Sequence, residues 1–280
     1  MVKGILYRLL PTPARIQGPR QYATNLFLDA GDFLLNRTRN DEPPRRLNIS
    51  GTGSFRELGD HNVFLCREYG NLRATDRVLD IGCGIGRTAL ALARFLEPPG
   101  SYVGLDTVPF ALRWCRRNIT SKHPNFEFIH ADIFNRMYNP RGTLSPDTYS
   151  FPFAEASFTF CIATSLFTHL LPGAVEQYIN EAARVLRPGG TFLSTFFLLC
   201  PETSAPRKAG SSKFDFQHRF ERHAQRSLHA PEQAIAYDLD YVRELYANAG
   251  LEISGIHFGG WSGCKQLINS GQDLIIGTRT

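Results

Sequence analysis

The chain has 280 residues, of which 42% are hydrophobic and 12% aromatic, so it can bury one substantial core. Its six cysteines are widely separated and form no C-x-x-C pair, which argues against a disulfide framework or a zinc site and favours a cytoplasmic protein. The formal net charge is +5; residues 1–60 carry nine Lys or Arg against six Asp or Glu, and residues 201–230 carry six against three.

We expect one domain over residues 55–280, preceded by an N-terminal extension over residues 1–54. In the extension, an apolar segment from Tyr22 to Leu35 is compatible with a helix. The start of the chain is apolar but too short for the apolar region of a signal peptide. The domain is predicted to open with a helix over residues 55–69, where apolar residues recur every three or four positions.

A glycine-rich turn follows the first predicted strand. The aliphatic run 78–81 suits a strand buried on both faces, and Gly82, Gly84 and Gly86 come after it at alternate positions. Residues 88–96 are strong helix formers with an apolar face. Because such a turn lets a ligand lie against bare backbone beside the N–H groups of a helix start, we predict a nucleotide-binding turn.

The spacing and charge of this turn separate the classes of nucleotide. The dinucleotide fingerprint is G-x-G-x-x-G, whereas here the third glycine comes one position early. Asp80 at the strand end would repel a pyrophosphate but suits a ligand that carries an ammonium group. A P-loop is excluded because G-K-[ST] does not follow the glycines. A tight turn without a ligand is the alternative.

Two further strands are predicted to end in an acidic residue. Residues 102–106 end in Asp106, and residues 126–133 end in Ala-Asp-Ile, which contains Asp132. Ligand groups gather at the carboxyl ends of strands in open α/β sheets. A carboxylate there can accept hydrogen bonds from two hydroxyls at once. Three acidic residues are therefore expected around one ligand.

The second half of the chain continues the alternation of strands and helices. Residues 156–175 carry no formal charge, but their polar residues indicate a strand, a turn and a helix start, so no membrane span is expected. Residues 201–231, rich in proline, serine and basic residues, are predicted to form a lid that recognises the acceptor. The predicted elements are a loop at 134–150, strands at 151–162, 191–199, 251–258 and 272–279, and helices at 109–119, 172–186 and 240–248.

Two motifs resemble those of a known family. Asp80 to Gly86 reads D-x-G-x-G-x-G and resembles motif I of the class I S-adenosylmethionine-dependent methyltransferases. Arg184 to Gly190 resembles the R-V-L-[KR]-P-G-G turn of small-molecule methyltransferases, so the resemblance covers roughly residues 55–200. It implies an α/β, Rossmann-like, doubly wound seven-stranded sheet of order 3-2-1-4-5-7-6, with strand 7 antiparallel and the lid inserted after strand 5. It implies S-adenosylmethionine as cofactor.

The resemblance also implies roles for individual residues. Asp106 would bind the ribose hydroxyls, Asp132 the adenine amino group and the Ile133 N–H the adenine ring. The helix over residues 55–69 would cover the cofactor, with His61 near the methionine end or, alternatively, only packing at the surface. The cofactor-binding residues predicted in this way are Asp80, Gly82, Cys83, Gly84, Gly86, Asp106, Thr107, Asp132, Ile133 and Ala163.

Methyl transfer from a sulfonium is an in-line displacement, so the protein chiefly aligns the reacting atoms. A hydroxyl acceptor also benefits from a base, and neutral histidine suits that role near pH 7. His169, just beyond the fourth strand, is the candidate catalytic base; lining the pocket or capping the next helix is the alternative. His218 and His223 in the insertion are further candidates. The spacing of the insertion's histidines does not favour a metal site.

We expect the acceptor to be a small molecule or a sugar-containing metabolite that is methylated at oxygen; methylation of a small molecule at nitrogen or carbon is the alternative. The basic surplus favours an anionic acceptor, unless it is only solvated surface. The absence of [DN]-P-P-[YF] after the fourth strand disfavours adenine-type N-methylation. With no basic run interleaved with aromatics, a nucleic-acid substrate is not expected, though it stays an alternative. A cofactor-binding subunit without catalysis is another, and a homodimer is left open.

Overall fold

The structure is a computed structural model, and it describes residues 12–35, 37, 41–49, 53–208, 210, 212, 214–264, 268 and 270–280. The apolar start of the chain therefore lies outside the described residues. Within them, the chain forms a large sheet with helices on both faces and a second, smaller sheet.

The elements are labelled in chain order. The helices are α1 (Thr12–Gln17), α2 (Pro19–Leu34), α3 (Phe55–Glu68), α4 (Arg87–Leu92), α5 (Pro109–Cys115), α6 (Pro172–Val185), α7 (Pro201–Lys208) and α8 (Leu239–Asn248). The strands are β1 (Arg77–Ile81), β2 (Ser101–Asp106), β3 (Phe126–His130), β4 (Phe158–Ala163), β5 (Leu186–Phe196), β6 (Leu198–Leu199), β7 (His218–Arg219), β8 (His223–Gln225), β9 (Ile235–Asp238), β10 (Leu251–His257) and β11 (Asp273–Arg279).

The large sheet has the order β10-β11-β5-β4-β1-β2-β3 over the described part of the chain. β11 runs antiparallel to both β5 and β10, whereas β1, β2, β3, β4 and β5 pair in parallel. With β10 and β11 as the predicted sixth and seventh strands, the predicted order and the antiparallel seventh strand are confirmed.

Aliphatic and aromatic residues bury the sheet on both faces. Successive side chains of a strand point to opposite faces, so Val78 and Leu79 of β1 enter different hydrophobic clusters, and both are fully buried. One face packs α6 and α8, and the other packs α3, α4 and α5. Each large apolar side chain buried in this way contributes about 1.5–3 kcal/mol. This packing sets the carboxyl ends of β1, β2 and β4 side by side.

The segment after α6 differs from the prediction. The helix ends at Val185, and β5 begins at Leu186, which pairs with Phe158 of β4. The proline and glycines that follow form an irregularity within β5, because regular pairing resumes only at Thr191. Proline has no N–H to donate, and Gly189 has φ +74°, so this segment cannot continue the helix.

An insertion between β5 and α8 builds the second sheet, of order β6-β9-β8-β7 among the described residues. The sequence predicted an insertion but no sheet within it. The inserted strands extend to Asp238, which pairs with Leu199 of β6, so the structured insertion is longer than residues 201–231. This sheet packs Phe197, Phe216 and Trp261 into a small aromatic cluster of its own. Among the described helices, none is both long and apolar enough to cross a bilayer.

Candidate active site

A cavity of about 510 Å³ opens at the carboxyl ends of the parallel strands. Its floor comes from Ile81 at the end of β1, Leu105 near the end of β2 and Thr164 after β4. α3 and the 134–138 loop line its sides, and Phe197 and residues of the insertion close it. Its volume falls in the range of small-molecule sites, which is about 300–1,000 Å³.

The Asp106 carboxylate fixes the glycine turn. The Gly84 N–H donates to Asp106 Oδ2 at 2.7 Å, and the Val108 N–H donates to Oδ1 at 2.8 Å. Gly82 and Gly84 adopt φ +79° and +56°, which residues with a side chain rarely do. Gly104 in β2 leaves the room for this turn, since a Cβ there would lie 2.7 Å from Cys83 Sγ. The backbone of the turn is thereby exposed to the cavity.

Asp80 is buried beside Asp106, with only 2% of its surface exposed. The Tyr102 hydroxyl donates to its Oδ2 at 2.8 Å. The pKa of Asp80 is raised to about 7, chiefly by burial; the Tyr102 hydrogen bond opposes the rise, and the charge of Asp106 adds to it. A nearby cation would therefore increase the fraction of Asp80 that is ionised at neutral pH.

These residues fit an adenosyl sulfonium. Neither Asp80 nor Asp106 forms an ion pair with a described Lys or Arg, so a cationic ligand would compensate carboxylates that have no such partner among the described residues. On the same cavity, His61 Nε2 is buried and has no hydrogen-bond partner within the described residues. S-Adenosylmethionine carries a sulfonium, an ammonium and hydroxyls that such groups can bind.

Most of the predicted cofactor residues meet at this cavity, but three do not line it. Those that line it are Asp80, Gly82, Cys83, Gly84, Asp106, Thr107 and Ile133. Gly86 instead is the N-cap of α4 and lies in the left-handed region (φ +76°), and a Cβ there would lie 2.7 Å from Ile119 Cδ1. Ala163 is fully buried at the end of β4, and the cavity wall starts one residue later at Thr164. Both have packing positions here.

Asp132 does not join the other two carboxylates in the cavity lining. β3 ends at His130, so Asp132 lies in the loop beyond the strand rather than at its end. Its carboxylate accepts from Thr143 Oγ1 at 2.8 Å and from Asn139 Nδ2 at 3.2 Å, and the Thr143 bond chiefly holds its pKa below the usual value. The expectation that three carboxylates share one cleft is therefore corrected to two.

His169 lines the cavity at the end of a 3₁₀ turn, Phe167–His169. Its Nδ1 lies 2.9 Å from the carbonyl oxygen of Glu232 in the insertion. A carbonyl can only accept, so Nδ1 carries the proton and Nε2 of the neutral ring is the acceptor. Burial lowers the pKa of His169, and the ring stays neutral at pH 7. This is the protonation state that a general base requires.

The two alternative histidines lie outside the cavity lining. His223 stacks on Phe220, with ring centroids 4.6 Å apart, and lies 6.0 Å from the Tyr237 ring. His218 precedes it on the neighbouring strand β7, where it pairs with Gln225. Neither is placed to take a proton in this cavity.

The sequence analysis missed most of the cavity wall outside the glycine turn. Tyr138 packs edge-on against His169 with ring centroids 5.9 Å apart, and burial raises its pKa to about 12. Gln272 Oε1 accepts from Thr195 at 2.7 Å and from Ser165 at 3.1 Å. No local motif marks these residues, since long-range packing brings them together. The aromatic residues of the wall are Phe134, Tyr138, Tyr178, Phe197 and Phe214.

Comparisons with known proteins find similar methyltransferases. Residues 78–190 match the family model described as a methyltransferase domain. The chain is 30% identical over 179 residues to a fatty-acid O-methyltransferase from Mycolicibacterium smegmatis, covering 62% of this chain and 56% of the relative. It is 28% identical over 197 residues to a phthiotriol/phenolphthiotriol dimycocerosates methyltransferase from Mycobacterium leprae, covering 68% and 62%. The chain therefore spans less than two thirds of these relatives.

More distant similarities are broader in kind. A tRNA N(3)-cytidine methyltransferase from Bos taurus is 26% identical over 137 residues, covering 48% of this chain and 33% of the relative. The crystal structure of the PH0226 protein from Pyrococcus horikoshii superposes with a TM-score of 0.54 at 19% identity, covering 82% of this chain and 93% of that one. The similarity to the PH0226 structure shows the fold alone.

Proposed function

We propose that this chain, whose residues 78–190 match a methyltransferase domain, transfers a methyl group from S-adenosylmethionine to an oxygen atom of a small apolar or lipid-like acceptor. The observation that carries the proposal is the neutral His169 ring, which is fixed through Nδ1 beside an aromatic wall in the same cavity as Asp80 and Asp106. When bound, S-adenosylmethionine supplies a methyl group already activated by its sulfonium.

The glycine turn and its two carboxylates would hold the cofactor. Asp106 lies at the end of β2 with backbone N–H donors on both oxygens, and its remaining lone pairs suit the ribose hydroxyls. Asp80 would face the ammonium group, whose charge would favour the ionised carboxylate. Thr107 and Ile133 would flank the adenine, since the Thr107 hydroxyl donates to the Ile133 carbonyl at 2.8 Å and holds the two segments together.

The acceptor half of the cavity favours an apolar molecule over a sugar. Phe197 and Phe214 belong to the aromatic cluster of the insertion and also line the cavity, which gives the wall apolar faces. The Phe197 and Phe214 rings offer no hydrogen-bond partner to the hydroxyls of a sugar that packs on them. The similarity to a fatty-acid O-methyltransferase supports the same choice. The expectation of an anionic acceptor stays a prediction.

His169 would take the proton from a hydroxyl acceptor. Its Nε2 is the free acceptor of the neutral ring, and the Glu232 carbonyl keeps Nδ1 protonated. The proton would move from the hydroxyl oxygen to Nε2 as the oxygen attacks the methyl carbon. A carboxylate acceptor is ionised already and would not need this step. The two kinds of oxygen acceptor therefore separate the role of His169 from cofactor binding.

His169→Asn tests the proposal. The Asn Nδ2–H₂ can still donate to Glu232, but Nε2 is lost, so we expect kcat with a hydroxyl acceptor to fall by about 10²- to 10⁴-fold. With a fatty acid as acceptor, the fall should be less than about threefold, because its carboxylate is ionised already. Initial rates with radiolabelled cofactor measure both.

His229→Asn, at an exposed position of the insertion, is the matched control and should leave both rates unchanged. Calorimetry with S-adenosylhomocysteine reports cofactor binding independently of the acceptor. Absence of binding at millimolar ligand would refute the cofactor assignment. Methylation of amines but of no oxygen acceptor would refute O-methylation alone.

The similarity to a tRNA methyltransferase raises a second candidate, methyl transfer to an RNA base. Aromatic side chains such as Tyr138 and Phe134 could stack an unpaired base. The described residues of the cavity lining contribute one arginine, Arg87, and RNA binding usually needs more positive charge near the site. Salt-sensitive binding of tRNA at micromolar concentration, with methyl transfer to it, would favour this candidate over a lipid-like acceptor.

A further inference from the structure

Helix α2 exposes an unusual amount of apolar surface. None of its residues is buried, although it is 16 residues long. Phe27, Phe33 and Leu34 are 79%, 75% and 81% exposed, against the few per cent typical of a core position. Several exposed large apolar side chains on one described helix are typical of a contact surface. The exposed apolar residues of this surface, called the α2 face, are Leu26, Phe27, Leu28, Phe33, Leu34 and Leu35.

The opposite side of α2 is tied to the protein. Asp29 accepts from the backbone N–H of Arg45 at 2.8 Å and from the Arg46 guanidinium at 2.8 Å. Asp32 pairs with the Arg45 guanidinium at 2.7 Å. At 100° per residue, the α2 face spans more than half of the helix circumference. A face of this width suits immersion in an apolar medium better than a narrow seam with one partner helix.

Basic residues stand at the ends of the α2 face. The described residues 12–35 and 37 carry three arginines and two acidic residues. The two acidic residues are Asp29 and Asp32, and both are engaged by arginines on the side away from the α2 face. Arg20 and Arg37 stand at the two ends of the helix. An apolar strip with basic ends is complementary to an anionic lipid surface.

A second copy of the chain fits this face less well. In a two-fold symmetric pair, every contact between two residues of different copies occurs twice, once in each direction. An antiparallel pairing of two α2 helices would therefore bring Arg20 of one copy towards Arg37 of the other. A parallel pairing sets Arg20 against Arg20. Both arrangements place like charges at the ends of the contact, whereas anionic headgroups would neutralise them.

The α2 face is linked to the cavity through a short segment. Gln17 at the end of α1 donates through Nε2 to the carbonyls of Asn48 and Arg46, at 2.7 and 3.0 Å. The next residue, Ile49, lines the cavity. A surface that docks through α2 would therefore lie near the cavity wall formed by the extension.

We propose that α2 lies in the interface of an anionic phospholipid bilayer, with the α2 face among the acyl chains and Arg20 and Arg37 among the headgroups. At 16 residues, α2 is shorter than the roughly 20 residues that span a bilayer, so it lies in the plane of the surface. The proposal rests on the exposed helix alone and does not depend on the identity of the acceptor.

Flotation of the full chain with vesicles tests it. We expect the wild type to float with vesicles of phosphatidylcholine containing 30% phosphatidylglycerol, and to float at least tenfold less with pure phosphatidylcholine or at 0.5 M salt, since the Debye length then falls to a few ångströms. The double variant F27S/L34S should lower the fraction bound at least tenfold. L228S, which changes a leucine that is 55% exposed outside the α2 face, should leave it unchanged.

Circular dichroism and S-adenosylhomocysteine affinity should be the same in F27S/L34S as in wild type, which shows that the variant is folded. Equal flotation of F27S/L34S and wild type would overturn the proposal, as would no flotation of the wild type with anionic vesicles. A wild-type dimer that becomes monomeric in F27S/L34S, without vesicle binding, would assign the α2 face to a second copy instead. If the wild type does not bind S-adenosylhomocysteine, only the proposed function is refuted.

Discussion

At the residue scale, Asp80 and Asp106 share one cavity but are held differently. Each oxygen of Asp106 accepts a backbone N–H, from Gly84 and from Val108, whereas Asp80 accepts a hydroxyl hydrogen from Tyr102. Burial is the main cause that raises the pKa of each. The charge on Asp80 thus costs stability in the protein without ligand, and the oxygens of Asp106 organise the turn.

Asp80→Asn should therefore stabilise the protein while weakening cofactor binding. Asn cannot ionise, and its Oδ1 can still accept from Tyr102, so the free energy of unfolding at pH 8 should rise by about 1–4 kcal/mol. The affinity for S-adenosylmethionine should fall at least tenfold because the carboxylate facing the ammonium is lost. Urea denaturation and calorimetry measure the two effects.

Asp106→Asn is the matched comparison, since it removes the same charge. Its amide N–H₂ would face a backbone N–H of Gly84 or Val108, so we expect a loss of about 1–3 kcal/mol of unfolding free energy. A stabilisation of similar size in both variants would show that the hydrogen bonds to Asp106 do not hold the turn.

At the element scale, Asp273 joins β11 to the insertion. Its carboxylate accepts from the Leu198 N–H of β6 at 2.7 Å, from the Gly259 N–H at 2.8 Å and from the Trp261 indole at 2.6 Å. Trp261 in turn packs on Phe197, with ring centroids 5.2 Å apart, and Phe197 lines the cavity. One buried carboxylate thus ties the small sheet to the acceptor wall.

Trp261→Phe should loosen this junction. The variant removes the indole donor from Asp273 and reduces the volume of a fully buried ring, so the free energy of unfolding should fall by about 1–3 kcal/mol. KM for the acceptor should rise because Phe197 loses its support, while cofactor affinity should not change. A change in cofactor affinity equal to the change in KM would instead indicate global damage.

At the scale of the whole molecule, buried ionisable groups set the pH dependence of stability. Chiefly through burial, the pKa of Asp80 is raised to about 7 and that of Asp273 to about 6. The stability that each carboxyl group contributes is complete below its pKa in the unfolded chain, near 4, and is lost as pH rises through its pKa in the folded protein. Burial lowers the pKa of His61 and His169, so their contributions are present above about 6.5 and are lost as pH falls.

The free energy of unfolding without cofactor should therefore decrease from pH 6 to pH 8, and the decrease should be smaller in Asp80→Asn. Over the same range cofactor affinity should increase, because a bound cation favours the ionised carboxylate. Urea denaturation and calorimetry at pH 6, 7 and 8 provide both curves. Stability that rises across this range in the wild type would contradict the raised pKa of Asp80.

The order of elements and the cofactor half of the site could be read from sequence. The turn after β1 requires glycines at positive φ, and buried parallel strands are continuous aliphatic runs. Both features can therefore be recognised as local patterns in the sequence. The positions of Asp80 and Asp106 follow from these patterns because each residue stands at or next to the end of a strand. The role of the insertion as a lid and the boundaries at 54 and 55 stay predictions.

Only the tertiary structure decided where the other groups point. β3 ends two residues before Asp132, and Thr143 in the following loop donates a hydrogen bond to the Asp132 carboxylate. Sequence periodicity does not predict this contact. The contact of His169 with Glu232 joins residues 63 apart in the chain, and Phe197 and Phe214 reach the cavity only because the insertion folds as a second sheet. Local patterns constrain backbone conformation, whereas side chains on loops take their direction from packing between distant segments.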